Sequence, residues 1–580
     1  MKDKARIIVT SLPINDGIRF LPELAQQAVE KELAEIQGRD IDLVLFPQYT
    51  AIEEEHNAGQ AGIVQLLHHF AQKNRCYVVY NVLRKSGERQ SCVSVITDRD
   101  GKVVGEYIKT HRIEGLDLDL LLGSETPVFE LDFGKVALLA GTDLYFPEVA
   151  EIYSVKGAEL LLCSLGPSIL RDDTEIQRLL KGRSVADYVY VAASSYSSEE
   201  TLYMASNVEL YHGANREIDI SGSLSESFNA FGLGKHTGRA IVYDMRGEII
   251  AGTGRESGHA EGQLDLHRKR NLIQYNFGTG GILFHQNERG IFEALGRPYN
   301  QEQARQFVSK PVVSLVHIPY KDTFQNTAED WYKPILEKIK LAAGRGSDLV
   351  VCSEYSRGDD GRPQTEGLDE LLQGCSLISR DYGCYIAINE GIDGMNTSLL
   401  FGRDGAIIHK YVKVNPLNMM YQKMLPAGEV IEPVELDFGK VGFMICADSY
   451  CQEIPRVHAL KGADMIILQT QSWGYDANAI NEGVARAWAI ENHMTILTNG
   501  FPTSQVTHRS NVIDPTGETV FASDYAKEDI YTVAIDLEVV RNRPSFKLVD
   551  SKVTRESDLR ERLMQARRPE LYAPLATGRL

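Results

Sequence analysis

The segment VELDFGKVGFMICAD, residues 434–448, shows how the 580-residue chain is organised, because a second version of it occurs earlier. That version is FELDFGKVALLAGTD, residues 129–143. Two more pairs of segments precede these in the same order: IDLVLFPQ with SDLVVCSE, and DGKVVGEYIKTH with DGAIIHKYVKVN. Matched positions lie 306, 304 and 305 residues apart: Gln48 and Glu354, Lys109 and Lys413, Gly141 and Cys446. Nearly equal offsets over about 100 residues indicate a duplicated, domain-sized unit.

Each half alternates strand-like and helix-like patterns. Short apolar, β-branched runs such as 41–47 and 347–352 have the composition of strands that are buried on both faces. Helical stripes precede both of these runs, and such alternation indicates an α/β fold. Since one hydrophobic core rarely serves more than about 250–300 residues, we predict two domains, 1–267 and 310–580, joined by a connector at 268–309.

Composition excludes several classes of function. The 61 Lys and Arg residues against 80 Asp and Glu residues give a net charge of −19, which disfavours binding to nucleic acid. No apolar run of about 18 residues is present, so we expect no membrane association. The start of the sequence has no signal-peptide pattern, and the eight cysteines include no Cys-x-x-Cys pair. We therefore expect a cytoplasmic protein with free thiols.

Three residue types that cooperate in acyl transfer follow strand-like segments of the second half. They are Glu354, Lys413 in KYVKV and Cys446 in GFMICADSY. Parallel sheets place reactive groups at the carboxyl ends of their strands, so we expect these side chains to meet in one pocket. A thiolate is a nucleophile, a carboxylate can accept its proton, and an ammonium can stabilise an oxyanion. Strand alternation predicts that Asp448 lies on the same side as Cys446.

This ordered set resembles the nitrilase, or carbon–nitrogen hydrolase, superfamily, over nearly the whole chain and twice over. The downstream segments KGADMIILQ, RAWAIEN, RSNVIDPTGE and RRPELY agree with it in order. The resemblance implies an α/β fold of two tandem αββα four-layer sandwiches. It also implies that the two sandwiches form a pseudo-dimer within one chain, which leaves further homo-oligomerisation open.

The resemblance implies a Glu–Lys–Cys triad and neither a metal nor an organic cofactor. Glu354 would be the general base, Lys413 would stabilise the oxyanion with the backbone N–H of Ala447, and Cys446 would form a thioester. Gln422 aligns where many members carry a second glutamate. Trp473 follows a strand end, and lining an acyl pocket and packing in the core are equally open for it.

The predicted function is that of a cysteine-dependent hydrolase of a small linear amide or N-carbamoyl compound. Nitrilases of this superfamily typically read Cys-Trp-Glu, whereas this chain reads Cys-Ala-Asp from Cys446, which favours an amide. The first half has Gln48 and Gly141 at the glutamate and cysteine positions and is expected to be inactive. Three alternatives stay open: a nitrilase, a thioester-based N-acyltransferase and a non-enzymatic pseudoenzyme scaffold.

Overall fold

The computed structural model divides into two compact units. Unit 1 comprises residues 1–282, 544–557 and 566–580, and unit 2 comprises residues 283–543 and 558–565. The structure describes residues 2–13, 22–54, 61–114, 117, 119–166, 173–197, 240–254, 256–267, 295–297, 309–317, 328–354, 367–415, 426–470, 483–500, 509–524, 529–542, 545–549, 552–556 and 559–577. Among these residues, no helix is long and apolar enough to span a membrane.

Unit 1 alternates strands and helices in its N-terminal part. Its strands there are β1 Lys4–Pro13, β2 Leu43–Leu45, β3 Ala51–Glu54, β4 Tyr77–Ser86, β5 Arg89–Thr97, β6 Val103–Ile108, β7 Val128–Glu130, β8 Lys135–Ala140, β9 Leu160–Ser164, β10 Tyr190–Ser197, β11 Ile241–Tyr243, β12 Ile249–Gly252 and β13 Gly258–Asp265. Its helices there are α1 Pro22–Ile36, α2 Ala61–Asn74, α3 Pro147–Val155 and α4 Asp173–Ala186, with a 3-10 turn at Gly141–Tyr145.

The described strands of unit 1 form two sets that join into one sheet. One set has the order β6-β5-β4-β2-β1-β13, and the other has the order β12-β11-β10-β9-β8-β7. They join where Ser11–Pro13 of β1 pairs in parallel with β10. Helices α1 and α2 bury apolar side chains such as Val29 and Leu67 against the first set. The strand runs expected from the sequence are therefore present.

Unit 2 has a similar order of elements. Its strands are β14 Val312–Val316, β15 Leu349–Cys352, β16 Tyr385–Ile392, β17 Met395–Phe401, β18 Ile407–Val412, β19 Val434–Leu436, β20 Gly439–Ile445, β21 Met465–Gln469, β22 Thr495–Asn499, β23 Asn511–Ile513, β24 Thr519–Ala522 and β25 Ile530–Ala534. Its helices are α5 Ala328–Gly344, α6 Leu368–Tyr382, α7 Glu453–Leu460, α8 Ala485–Asn492, α9 Glu538–Asn542 and α10 Leu559–Gln565, with a 3-10 turn at Cys446–Tyr450.

The described strands of unit 2 form two separate sheets. Their orders are β18-β17-β16-β15-β14-β25 and β19-β20-β21-β22-β23-β24. Helices α5 and α6 cover the first sheet, where Ile339 and Leu371 pack with Val350 in one apolar core. Helices α7 and α8 contact the second sheet at β20 and β22. Gln469 of β21 joins the two sheets, because its Nε2 donates to the carbonyl of Cys352, 2.7 Å away. The α/β class predicted from the sequence is confirmed.

The C-terminal residues belong to unit 1, although the boundary predicted from the sequence grouped them with the second domain. They form β26 Ser545–Val549, β27 Lys552–Glu556, a 3-10 turn at Pro569–Leu571 and α11 Ala573–Thr577. Arg567 Nε lies 3.0 Å from Glu148 Oε1 on α3, and both side chains are buried. The ring of Tyr572 stacks on that of His111, with an interplanar angle of 9°. These contacts explain the grouping, since they seal a charged pair inside unit 1.

Candidate active site

Two of the predicted site residues meet where two strands of one sheet end. Glu354 follows β15, and Lys413 directly follows β18. Lys413 Nζ donates a hydrogen bond to Glu354 Oε1 at 3.0 Å, and both side chains are buried. A buried ion pair of this kind keeps both groups charged only while both partners are present.

Cys446 begins the 3-10 turn that follows β20. Its backbone is left-handed, with φ +44°, a conformation that costs a non-glycine residue about 1–3 kcal/mol. All eight cysteines lie in the described part of the chain, and seven of them are buried whereas Cys446 is partly exposed. Cys446 on this turn is therefore less enclosed than the other seven cysteines.

Asp448 holds this turn in place. Its Oδ2 accepts hydrogen bonds from the backbone N–H of Ile445 at 2.9 Å and from Tyr411 Oη at 2.8 Å, and its Oδ1 accepts one from Asn415 N at 2.7 Å. Burial raises the pKa of Asp448, although the Lys413 charge and these hydrogen bonds act in the opposite direction. The strand ends at Ile445, so the expected alternation from Cys446 is wrong, and Asp448 takes its place through the turn.

The electrostatic surroundings favour a charged lysine. Burial alone lowers the pKa of Lys413, but the negative charges at Cys446, Glu354 and Asp448 outweigh it and hold the pKa well above its usual range. An ammonium therefore persists beside the cysteine, where it can stabilise a thiolate or an oxyanion.

The remaining predicted residues differ in what the structure says of them. Ala447 is buried, and its carbonyl accepts a hydrogen bond from Asn415 Nδ2 at 2.9 Å, which fixes the peptide between Ala447 and Asp448. Gln422 and Trp473 lie outside the described residues.

Sequence reasoning missed a pair of asparagines beside the glutamate. Asn396 Nδ2 donates to Glu354 Oε1 at 2.9 Å, and Asn389 Nδ2 donates to Asn396 Oδ1 at 2.9 Å. The pair comes from the hairpin of β16 and β17, which turns at Asp393 and Gly394, both with positive φ. An Asp-Gly turn of this type is a strong hairpin signal, and it could have predicted the register that brings these side chains together.

Unit 1 has different side chains at the matching positions. Gly141 keeps the left-handed backbone, with φ +53°, but a Cβ added there would lie 2.6 Å from Gln48 Oε1. The Gln48 amide therefore occupies the space next to this turn. Lys109 is fully buried and donates to the carbonyl of Ala140 and to Thr142 Oγ1, each at 2.6 Å. Gln48 and Gly141 therefore lack the carboxylate and the thiol that Glu354 and Cys446 carry at the matching positions of unit 2.

Comparison with known proteins places the chain in a family. A carbon–nitrogen hydrolase family model matches residues 19–274 and 313–544, and the chain belongs to this family. Its relatives include a probable nitrilase of Schizosaccharomyces pombe, 30% identical over 147 residues (25% of this chain and 53% of that protein). A 2-oxoglutaramate amidase of Bacillus subtilis is 28% identical over 173 residues (30% and 54%). The chain thus spans about half the length of these curated relatives.

Solved structures of amidases are also similar to part of the chain. One is an amidase from Nesterenkonia sp. with acrylamide added at its active-site cysteine. It is 18% identical, with a TM-score of 0.35, and the match covers 47% of this chain and 99% of that one.

Proposed function

We propose that unit 2 is a cysteine-dependent carbon–nitrogen hydrolase that cleaves a small linear amide or an N-carbamoyl compound. The observation that carries this proposal is the buried contact of 3.0 Å between Lys413 and Glu354. Cys446, which has a left-handed backbone, interacts electrostatically with the same lysine. Nucleophile, base and oxyanion-stabilising cation are thereby supplied by the ends of three strands.

The proposed reaction has two halves. In the first, the sulfur of Cys446 attacks the carbonyl carbon while Glu354 takes the thiol proton, and Lys413 stabilises the oxyanion. The carbon–nitrogen bond then breaks as Glu354 returns the proton to the nitrogen, so that ammonia or an amine leaves and a thioester remains. In the second, Glu354 takes a proton from water as the water oxygen attacks the thioester. The carbon–sulfur bond then breaks, the Cys446 sulfur takes the proton back from Glu354, and the released carboxylic acid loses its proton to solvent to give the carboxylate.

An amide substrate is proposed over a nitrile on two grounds. Ala447 follows the cysteine where nitrilases typically carry tryptophan, and the Bacillus subtilis relative is named as an amidase. A nitrilase is the second candidate, because relatives from Schizosaccharomyces pombe and Pyrococcus abyssi carry that name. An acyltransferase would share the thioester and differ only in the acceptor that releases it.

For unit 1 we propose an inactive copy of the same domain that arose by duplication. The support is the matched order of segments, the shared element order and the loss of both reagents at Gln48 and Gly141. We further propose that each unit is an αββα sandwich and that the two act as a pseudo-dimer, with unit 1 as a supporting scaffold.

One experiment tests the proposed function directly. The full-length protein is incubated with a panel of small amides, ureido acids and nitriles, and intact-mass spectrometry follows the protein while product analysis follows the compounds. We expect ammonia or amine release and an acyl adduct that is absent from Cys446→Ala. Turnover that is unchanged in Cys446→Ala would overturn the proposal, and turnover of nitriles alone would favour the second candidate.

A further inference from the structure

A network of amide groups lies behind the glutamate of unit 2. Glu354 Oε1 accepts two hydrogen bonds, one from Lys413 Nζ at 3.0 Å and one from Asn396 Nδ2 at 2.9 Å. Asn396 and Glu354 are both buried, each with 2% exposure. The uncharged donor is therefore as close to the carboxylate as the charged one, and it is shielded from water.

Asn389 decides which way the Asn396 amide points. Asn389 Nδ2 donates to Asn396 Oδ1 at 2.9 Å, so the Asn396 oxygen is used and its NH₂ group faces Glu354. Asn389 Nδ2 also donates to Ser398 Oγ at 3.2 Å, and that hydroxyl donates to Gln469 Oε1 at 2.5 Å. Because Gln469 bonds in turn to the last residue of β15, the network returns to the strand that precedes Glu354.

Unit 1 shows what changes when the glutamate is lost. Asn81 and Ser94 repeat the Asn389–Ser398 pair, with a hydrogen bond of 2.9 Å. Cys92 stands in the position of Asn396, since Lys109 N bonds to its carbonyl as Lys413 N bonds to that of Asn396. The direction of donation is reversed there, because Gln48 Nε2 donates to the sulfur at 3.2 Å.

We propose that Asn396 is a positioning residue that orients Glu354 and stabilises its carboxylate form, with Asn389 fixing the orientation of Asn396. This inference rests on the proposed function, in which Glu354 is the base. A donor that bonds to a carboxylate favours its charged form, and burial strengthens that effect. An asparagine does so without adding a second charge to the site.

The charged groups around the carboxylate come from two places in the fold. Lys413 follows β18, and Cys446 and Asp448 lie on the 3-10 turn; all three interact electrostatically in the site. Glu390, the neighbour of Asn389, acts instead on Cys375 of α6, on the other face of the sheet. Asn396 thus gives Glu354 an uncharged hydrogen-bond donor beside the charged Lys413.

The test uses two variants of Asn396 in the full-length protein. Asn396→Ala removes the donor, and Asn396→Asp keeps the shape but replaces the donor by a carboxylate. Thr397→Val is the matched control, because Thr397 is equally buried on β17 and its hydroxyl bonds to the carbonyl of Met395. The readouts are the pH profile of kcat/KM and thermal unfolding.

We expect the acid limb of the profile to move to higher pH by about one to two units in Asn396→Ala, since a hydrogen bond to a charged group is lost. Asn396→Asp should shift it at least as far, because a second carboxylate opposes ionisation of the first. Thr397→Val should keep the wild-type limb. An activity loss that is equal at every pH, or full activity in Asn396→Asp, would overturn the inference.

A substrate-free measurement separates this inference from the proposed function. The rate of alkylation of Cys446 by iodoacetamide is followed against pH, with the labelled site identified by peptide mass. If no compound of the panel is hydrolysed but the alkylation profile of Asn396→Ala is displaced from those of wild type and Thr397→Val, the proposed function fails and the role of Asn396 stands. If amides are hydrolysed and both profiles of Asn396→Ala match wild type, the role of Asn396 fails alone.

Discussion

The two units keep the same support around the turns that follow β8 and β20 and differ in the residues placed on these turns. Tyr107 Oη donates to Asp143 Oδ2 at 2.8 Å in unit 1, and Tyr411 Oη donates to Asp448 Oδ2 at 2.8 Å in unit 2. Each aspartate also accepts the backbone N–H that precedes the turn. The turn is therefore held by the aspartate and not by the residue that it presents.

The left-handed backbone at the start of each turn also does not depend on which residue stands there. Gly141 and Cys446 have φ values of +53° and +44°, although only the second carries a side chain. A glycine adopts this conformation at little cost, whereas a cysteine is strained there. In unit 2 the structure around the turn therefore offsets the backbone strain of the left-handed Cys446.

The matched lysines of the two units, Lys109 and Lys413, differ in their hydrogen-bond partners. Lys413 reaches a carboxylate across the site, while Lys109 is turned to the Ala140 carbonyl and to Thr142. Asp117 and Asp143 lie 3.8 Å from the Lys109 ammonium and supply its counter-charge. The same residue type thus bonds to a carboxylate in one unit and to a backbone carbonyl and a hydroxyl in the other.

The largest effect is expected for Cys446→Gly, which places the residue found at Gly141 of unit 1 in the matching position of unit 2. We expect at least about a 10⁴-fold loss of turnover, because no nucleophile remains. The fold should persist, since glycine already adopts this turn in unit 1. Steady-state kinetics and thermal unfolding measure both effects.

The control for that variant is Cys451→Ala, which removes a buried thiol bonded to Glu453. It should retain turnover within a few-fold. Equal losses in the two variants would mean that neither thiol is the nucleophile.

A second substitution, Glu354→Gln, copies Gln48 into unit 2. The amide can accept the Lys413 hydrogen bond but cannot take a proton, so kcat/KM should fall by about 10²–10⁴-fold. Glu390→Gln is the matched control, because Glu390 is equally buried on β16 and acts on Cys375. A Glu354→Gln protein as active as its control would remove the glutamate from the mechanism.

The reverse exchange, Gln48→Glu with Gly141→Cys, should restore almost nothing in unit 1. We expect less than about 1% of the turnover of unit 2, because a carboxylate that is not positioned for proton transfer forfeits its contribution of about 10²–10⁴-fold. An added Cβ at 141 also lies 2.6 Å from the side chain of residue 48, and Lys109 is bonded elsewhere. The measurement is intact mass in a Cys446→Ala background. An acyl adduct that forms at the wild-type rate would show that unit 1 lost only two side chains.

The smallest expected difference concerns acid stability. Burial lowers the pKa of His458 in unit 2 to about 3, and the ring bonds to the Phe443 carbonyl at 3.0 Å. Between that value and the unfolded value of about 6.5, the unfolded state binds a proton that the folded state does not. Stability should therefore fall with falling pH in this window, by up to about 1.4 kcal/mol per pH unit.

His458→Gln should flatten that slope, because glutamine does not titrate. Tyr153 stands in the matching position of unit 1, and burial raises the pKa of its phenol. All three tryptophans fall within the residue range of unit 2, so tryptophan fluorescence during acid titration follows that unit. An unchanged slope in His458→Gln would assign the acid sensitivity to other groups.

The sequence predicted the fold class and the strand ends because buried strands leave a strong local pattern. The run expected at 41–47 contains β2, Leu43–Leu45, and the run at 347–352 contains β15. The meeting of Glu354 and Lys413 followed from the rule on strand ends. Asn396 was missed because a polar residue on an antiparallel strand is common, and only the hairpin register gives it a partner.

Contacts between residues far apart in the sequence could not be predicted either. Arg567 and Glu148 are 419 residues apart, and no periodicity links one to the other. From the sequence alone, Arg567 in RRPELY would be assigned to the surface, because its buried partner Glu148 is not evident. The triad stays a prediction, and its geometry supplies the variants that test it.

The separation of Glu148 and Arg567 along the chain also determines how long after Glu148 the ribosome makes Arg567. Translation at about 5–20 residues per second places roughly 20–80 seconds between the emergence of Glu148 and that of Arg567. During this interval the Glu148 carboxylate lacks its contact with Arg567. Because a buried carboxylate without a nearby cation is costly, we expect the region around α3 to be less stable until Arg567 has been made. We therefore expect the packing around α3, in the part of the molecule made first, to be completed only after Arg567 has been made.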